Sequence, residues 1–192
     1  MTNFNFLRTH LVANGARISS VEQPQHAPDL STPATYLMQD FKAHAPISIL
    51  ASTPLDAARK LASATPTDAL MVMDDHGQVV GVTSSVELQS IRVTTQALQM
   101  GLKPSELLVH DIMRSLHVLP CISLHSARTS NLGNILSTME HQGSFYLLVT
   151  EQEQIRGIFN ARKIAKAVGV GLDITPVAQS FQDVVAAVEH PH

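Results

Sequence analysis

One pattern occurs twice in this chain, in the same order each time. "YLMQDF" (36–41) returns as "DIMRSL" (111–116), an offset of 75 residues, and "PISIL" (46–50) returns as "PCISL" (120–124), an offset of 74. "ALMVM" (69–73) is answered by "YLLVT" (146–150), and "GVTSSVEL" (81–88) by "GIFNARKI" (157–164). A duplicated unit of this kind rarely buries its apolar strands alone; two copies stacked together do. The 192 residues therefore make one two-part molecule around a shared core.

Each copy reads as strand, helix, strand, strand, helix. In the first, residues 47–50 form a short apolar strand. Thr53 is placed to cap the next helix, with Pro54 at its first position and Asp56 in its first turn. Leu55, Ala58 and Ala62 then share a face. Residues 70–73 are a buried strand, "DDHGQ" (74–78) a turn, and 79–83 the returning strand of a hairpin. A helix begins near Ser84. In the second copy, 121–124, 145–149 and 155–159 are the strands and "EQEQ" (151–154) the turn. Leu132, Ile135, Leu136 and Met139 keep helical spacing. The closing helix, about 161–168, stops at Gly169 and Gly171.

These readings divide the chain into five parts. Residues 1–34, with the Pro-, Ser- and Thr-rich "EQPQHAPDLSTPAT", form a flexible arm. Residues 35–92 are the first repeat, 93–108 a helical linker broken at Gly101 and restarted after Pro104, and 109–170 the second repeat. Residues 171–192 are an amphipathic helical tail, with Val177, Phe181, Val184, Val185 and Val188 on one stripe.

Composition narrows the partners. The net charge is −3, with no basic stripe, no tryptophan and two tyrosines, so a nucleic-acid surface is not expected. The start lacks the basic and long apolar segments of a signal peptide, and no run is long enough for a membrane span. We expect a soluble, cytoplasmic protein. One cysteine, Cys121, excludes an internal disulfide, and we read it as a small buried apolar residue in a strand. The ten histidines fit no zinc spacing, so no metal site is expected. No nucleophile, base and acid set stands out, and we expect no enzyme activity.

Two such units, each opening near a Met-containing turn and closing with a G-h-h-T-x-x-D-like motif, resemble a tandem pair of CBS (cystathionine-β-synthase) domains. The resemblance covers about residues 35–170, and "LKPSELLVHDIM" further resembles small stand-alone bacterial CBS-pair proteins. It implies an α/β fold with two β-α-β-β-α repeats about a pseudo-twofold axis. It also implies regulation by an adenosine-type ligand (AMP, ADP, ATP or S-adenosylmethionine), with no required cofactor, signalling to a partner protein, and a homodimer. In the family pattern, the hydroxyl residue contacts phosphate or ribose and the carboxylate accepts from the ribose hydroxyls. A helix N-terminus and a carboxylate suit those two tasks.

Carried onto this chain, the first cleft takes Ser84 and Glu87, with Val82, Thr83, Pro46 and Ile47 alongside. The second cleft has Asn160 and Lys163 at the matched positions, with Pro120 and Cys121. Lys163 cannot accept from a ribose, although it can pair with a phosphate. The sequence therefore favours the Ser84 cleft. Both sets have a plainer reading. Ser84-x-x-Glu87 is also a capping box, and Asn160 is a good cap with no ligand at all. The alternative function is a ligand-free scaffold acting in dimerisation or protein contact.

Overall fold

The computed structural model describes residues 27–64 and 69–174. The first repeat holds β2 (Ser48–Leu50), α1 (Leu55–Ala64), β3 (Leu70–Met73), β4 (Val79–Thr83) and α2 (Ser85–Leu88). A linker helix, α3 (Ile91–Met100), leads to the short α4 (Val109–Ile112). The second repeat holds β6 (Cys121–Ser123), α5 (Leu124–Thr129), α6 (Leu132–His141), β7 (Tyr146–Glu151), β8 (Gln154–Asn160) and α7 (Ala161–Val168). A two-residue strand lies near the start of each repeat, β1 (Gln39–Asp40) in the first and β5 (Arg114–Ser115) in the second.

Each repeat contributes one four-stranded mixed sheet, and each sheet is completed by the other repeat's lead-in. The orders are β2-β3-β4-β5 and β1-β8-β7-β6. β5, which leads into the second repeat, pairs with β4 of the first at Gly81↔Ser115 and Val82↔Arg114. β1, which leads into the first, pairs with β8 of the second at Gln39↔Ile158 and Asp40↔Gly157. The two repeated glycines allow this. A Cβ on Gly81 would stand 2.6 Å from the Arg114 carbonyl oxygen, and one on Gly157 2.5 Å from that of Gln39. The glycine opening each closing motif is thus the place where a foreign strand crosses.

Successive side chains point to opposite faces, and both faces are covered here, which explains why β3 and residues 146–149 of β7 are apolar throughout. Leu70 and Val72 face the helices of their own repeat, in a core with Leu55, Ala58, Ala62 and Leu88. Leu147 and Val149 do the same with Leu132, Ile135, Leu136 and Met139. The opposite faces meet in a third core of Ala69, Met71 and Val82 with Tyr146, Leu148 and Ile158, joined by Leu119. The register makes these matched pairs: Met71↔Val82 in one hairpin answers Leu148↔Ile158 in the other. The two repeats pack about a pseudo-twofold axis, as the ordered duplication requires.

Three local readings change. Residues 29–34, expected as part of a flexible arm, are held against the second repeat: the Leu132 and Gly133 amides donate to the Thr32 and Leu30 carbonyls, and Ala34 donates to Ser130. Their backbone groups find partners in the first turn of α6 and the loop before it, which composition alone does not reveal. The helix α5 was not anticipated; Ser123 caps it by accepting from the Ser126 amide at 3.0 Å. α3 starts at Ile91, two residues before the expected start of the linker at 93. The apolar tail stripe at 177–188 lies outside the described residues.

Candidate functional site

The closing segments of the two repeats run toward the shared core, and there the predicted residues gather. β4 delivers Val82 and Thr83, and the next residue, Ser84, caps α2 with an extended backbone. The Ser84 hydroxyl accepts from the Glu87 amide at 3.4 Å, a long bond. Glu87 does not complete a capping box by reaching back. Its Oε1 accepts from Arg114 Nε at 3.2 Å and its Oε2 from the Tyr146 hydroxyl at 3.1 Å. One carboxylate therefore ties together α2, the exchanged strand β5 and the first residue of β7.

This network is out of water. Val82, Thr83, Ser84 and Glu87 are all buried, as is Tyr146. Burial pushes the Glu87 carboxyl above its ordinary range, against the pull of Arg114, the Tyr146 hydroxyl and the nearby charge of Arg92. Burial also pushes the Tyr146 phenol up, and the Glu87 charge adds to that, so Tyr146 stays a neutral donor. Pro46 and Ile47 stand half-buried before β2, where the Ile47 carbonyl accepts from the Met71 amide at 3.0 Å. The structure thus brings Ser84, Glu87, Val82 and Thr83 together, with Glu87 facing protein groups.

At the other closing segment, Asn160 ends β8 and caps α7. Its Oδ1 accepts from the amides of Arg162 at 2.9 Å and Lys163 at 3.4 Å. Lys163 is exposed. Pro120 is half-buried, and its carbonyl accepts from Leu148 as Ile47 does from Met71. Cys121 is not a buried apolar residue: it is exposed. β6 is the edge of its sheet, and both end residues of this short strand are exposed.

The register sets the two sides against each other. Ala69 stands where Tyr146 stands, Ser84 where Asn160 stands, and Glu87 where Lys163 stands. One side holds a tyrosine and a carboxylate in contact; the other has an alanine and an ammonium at those positions. Next to Tyr146, the Arg162 guanidinium lies over the Phe145 ring, 3.7 Å from its centre. Arg162 Nη1 and Thr83 Oγ1 are buried polar atoms without a hydrogen-bond partner.

Sequence reasoning missed Arg114, Tyr146 and Arg162. Tyr146 had a signal: it is one of two tyrosines, it opens an apolar strand, and its repeat partner is alanine. A tyrosine buried in such a strand needs a partner for its hydroxyl. Arg114 and Arg162 had none, because long cations at strand and helix ends usually face solvent.

Two shallow clefts of about 370 and 300 Å³ lie at matched places, beyond the ends of β2 and β3 and of β6 and β7. They sit at the far end of the sheets from Ser84 and Asn160 and contain none of the predicted residues. Among the described residues no group of three His, Cys, Asp or Glu side chains is placed to hold a metal ion. No helix among them is long and apolar enough to cross a membrane.

No protein-family model matches the sequence, and no curated protein does. Solved structures do match. An uncharacterised conserved protein from Pyrococcus horikoshii aligns with a TM-score of 0.52 at 22% identity, over 77% of this chain and 99% of that one. A CBS-domain-containing protein from Agrobacterium tumefaciens aligns with a TM-score of 0.51 at 15% identity, over 77% and 98%. CBSX2, solved in complex with AMP, aligns with a TM-score of 0.48 at 20% identity, over 71% and 95%.

Proposed function

We propose that this chain, whose fold is that of a tandem CBS-domain pair, is a regulatory module that binds an adenosine-type nucleotide and passes the change to a partner protein. The observation that carries the reading is Arg162. Its guanidinium is stacked on Phe145 with Nη1 buried and unpartnered. A buried donor on a charged group is costly unless an acceptor meets it. Arg162 lies in the first turn of α7, beside the Asn160 cap and Lys163. A guanidinium, an ammonium and a helix N-terminus together suit a phosphate. In this reading the nucleotide phosphate meets Arg162 and Lys163, and the base lies toward Pro120 and Cys121. No group is assigned a catalytic role. The single cysteine fits a cytoplasmic setting.

The test is thermal unfolding with AMP, ATP or S-adenosylmethionine. A ligand at a hundred times its dissociation constant stabilises the native state by about 2.7 kcal/mol. Arg162→Gln should abolish most of that shift. No shift with any of the three favours the scaffold reading.

The scaffold reading has one observation of its own. Ile91 and Leu98, seven residues apart on α3, are 79% and 76% exposed, and Val86 on the preceding helix α2 is exposed as well. Large apolar side chains gathered like this mark a contact surface, and we assign it to a second copy of the chain. α7 shows no such patch: Ala161, Ile164 and Ala165 are buried, and Ala167 and Val168 are half-buried. Light scattering at micromolar concentration should give a dimer mass; a monomer mass would remove the homodimer.

A further inference from the structure

We propose that Tyr146 is a built-in plug, which fills the ribose position on Glu87 and confines nucleotide binding to the Asn160 side. The inference rests on the nucleotide reading for its probe, and its geometry is independent of it. A ribose offers hydroxyl donors to a carboxylate, and that is what Tyr146 offers to Glu87 Oε2 at 3.1 Å. Arg114 holds the other oxygen. With Glu87 itself 4% exposed, a ligand hydroxyl has no route to the acceptor while the tyrosine stands there.

Two further observations fit a filled cleft better than one that never existed. Ser84 still caps α2, so the hydroxyl and carboxylate of a ligand-type motif are both in place. Thr83 Oγ1, wholly buried, has no hydrogen-bond partner. It is the unsatisfied remainder of a polar cleft whose occupant is now a side chain that serves Glu87 and not Thr83. On the Asn160 side the same plug cannot form. The position equivalent to Tyr146 is Ala69, which has no hydroxyl, and the position equivalent to Glu87 is Lys163, which has no acceptor.

Calorimetry with AMP tests this on the full chain. The unaltered protein should take no more than one AMP per chain. Tyr146→Ala, which gives position 146 the residue its counterpart already has, should gain one AMP site. Adding Glu87→Gln to that variant should weaken the gained site about tenfold or more. Two AMP per unaltered chain would overturn the plug, as would Tyr146→Ala with no gained site. If the unaltered chain binds no AMP, the nucleotide reading of the Asn160 side fails, yet Tyr146→Ala still decides the plug by gaining a site or not. Should Tyr146→Ala fail to fold, Tyr146→Leu keeps the shared core filled while removing the ring and hydroxyl, and the same titration decides.

Discussion

The two closing segments have one backbone and two chemistries. Both begin at a glycine crossed by an exchanged strand, and both end in a helix capped by a polar residue. On the Ser84 side the seventh residue of the motif, Glu87, turns inward and joins three elements through one buried carboxylate. On the Asn160 side it is an exposed lysine. The two segments share what the backbone needs and differ in what only the side chains need. The inward tie requires a hydroxyl and a carboxylate facing each other. The matched positions on the other side are Ala69 and Lys163, which cannot form it.

The largest expected effect follows from that asymmetry. Glu87→Ala strands the Arg114 guanidinium, which is 13% exposed in the folded chain, and the Tyr146 hydroxyl. Removing one partner of a buried ion pair costs about 3–5 kcal/mol. Urea unfolding should show a loss of this size. A loss under about 1 kcal/mol would mean that the tie contributes as little as a surface pair.

The next effect should be equal on the two sides, because it concerns the backbone they share. Gly81→Ala puts a Cβ against the Arg114 carbonyl, and Gly157→Ala puts one against the Gln39 carbonyl. Each obstacle is backbone, so the exchanged strand must move, and such overpacking costs about 1–3 kcal/mol. Both variants should lose stability by similar amounts in the same urea assay. A large loss for one and none for the other would show that only one exchanged strand holds its sheet together.

How much of this was legible in the sequence divides along the same line. The duplicated strands, the hairpin turns and the buried faces of α1 and α6 followed from periodicity and turn residues, because these are local properties of the chain. The exchange of β1 and β5 did not, since each is two residues long and pairs with a strand of the other repeat. The repeat alignment found Ser84, Glu87, Asn160 and Lys163, and the structure brings Ser84 and Glu87 into one network. It could not show what Glu87 faces. Tyr146 is 59 residues further along, and only the packing of the two sheets brings it there. Cys121 was misjudged for a related reason: an apolar strand motif does not reveal that the strand is an edge.

A subtler effect separates burial from pairing at Glu87. Its carboxyl is raised by burial in the folded chain, with Arg114 and Tyr146 opposing. The native state therefore holds that proton more tightly than the unfolded state. Stability contributed through this group is full below the ordinary carboxylate range and declines as pH rises through the raised native value. Compared with Glu87→Gln, the unaltered protein should lose ground as the pH is raised from about 4 toward neutrality. Unfolding free energies of the two proteins across that range would show it. The opposite slope would mean that the charge of Arg114 outweighs the loss of water.

The smallest effect on stability belongs to Lys163. It is exposed and lies in the first turn of α7, where the helix dipole disfavours a cation. Substitution at such a position usually changes stability by no more than about 0.5 kcal/mol, and here the dipole makes a small gain the expected sign. Lys163→Ala should therefore unfold at the same urea concentration as the unaltered protein, or slightly higher. Its affinity for AMP should fall about two- to fivefold, the range of an exposed charge pair. Raised salt should shrink that difference, because screening weakens an exposed charge more than the buried Arg162 contact. A loss of stability above about 1 kcal/mol would make Lys163 a structural residue. It would then answer Glu87 in role as well as in position, and the two sides would differ less than their chemistry suggests.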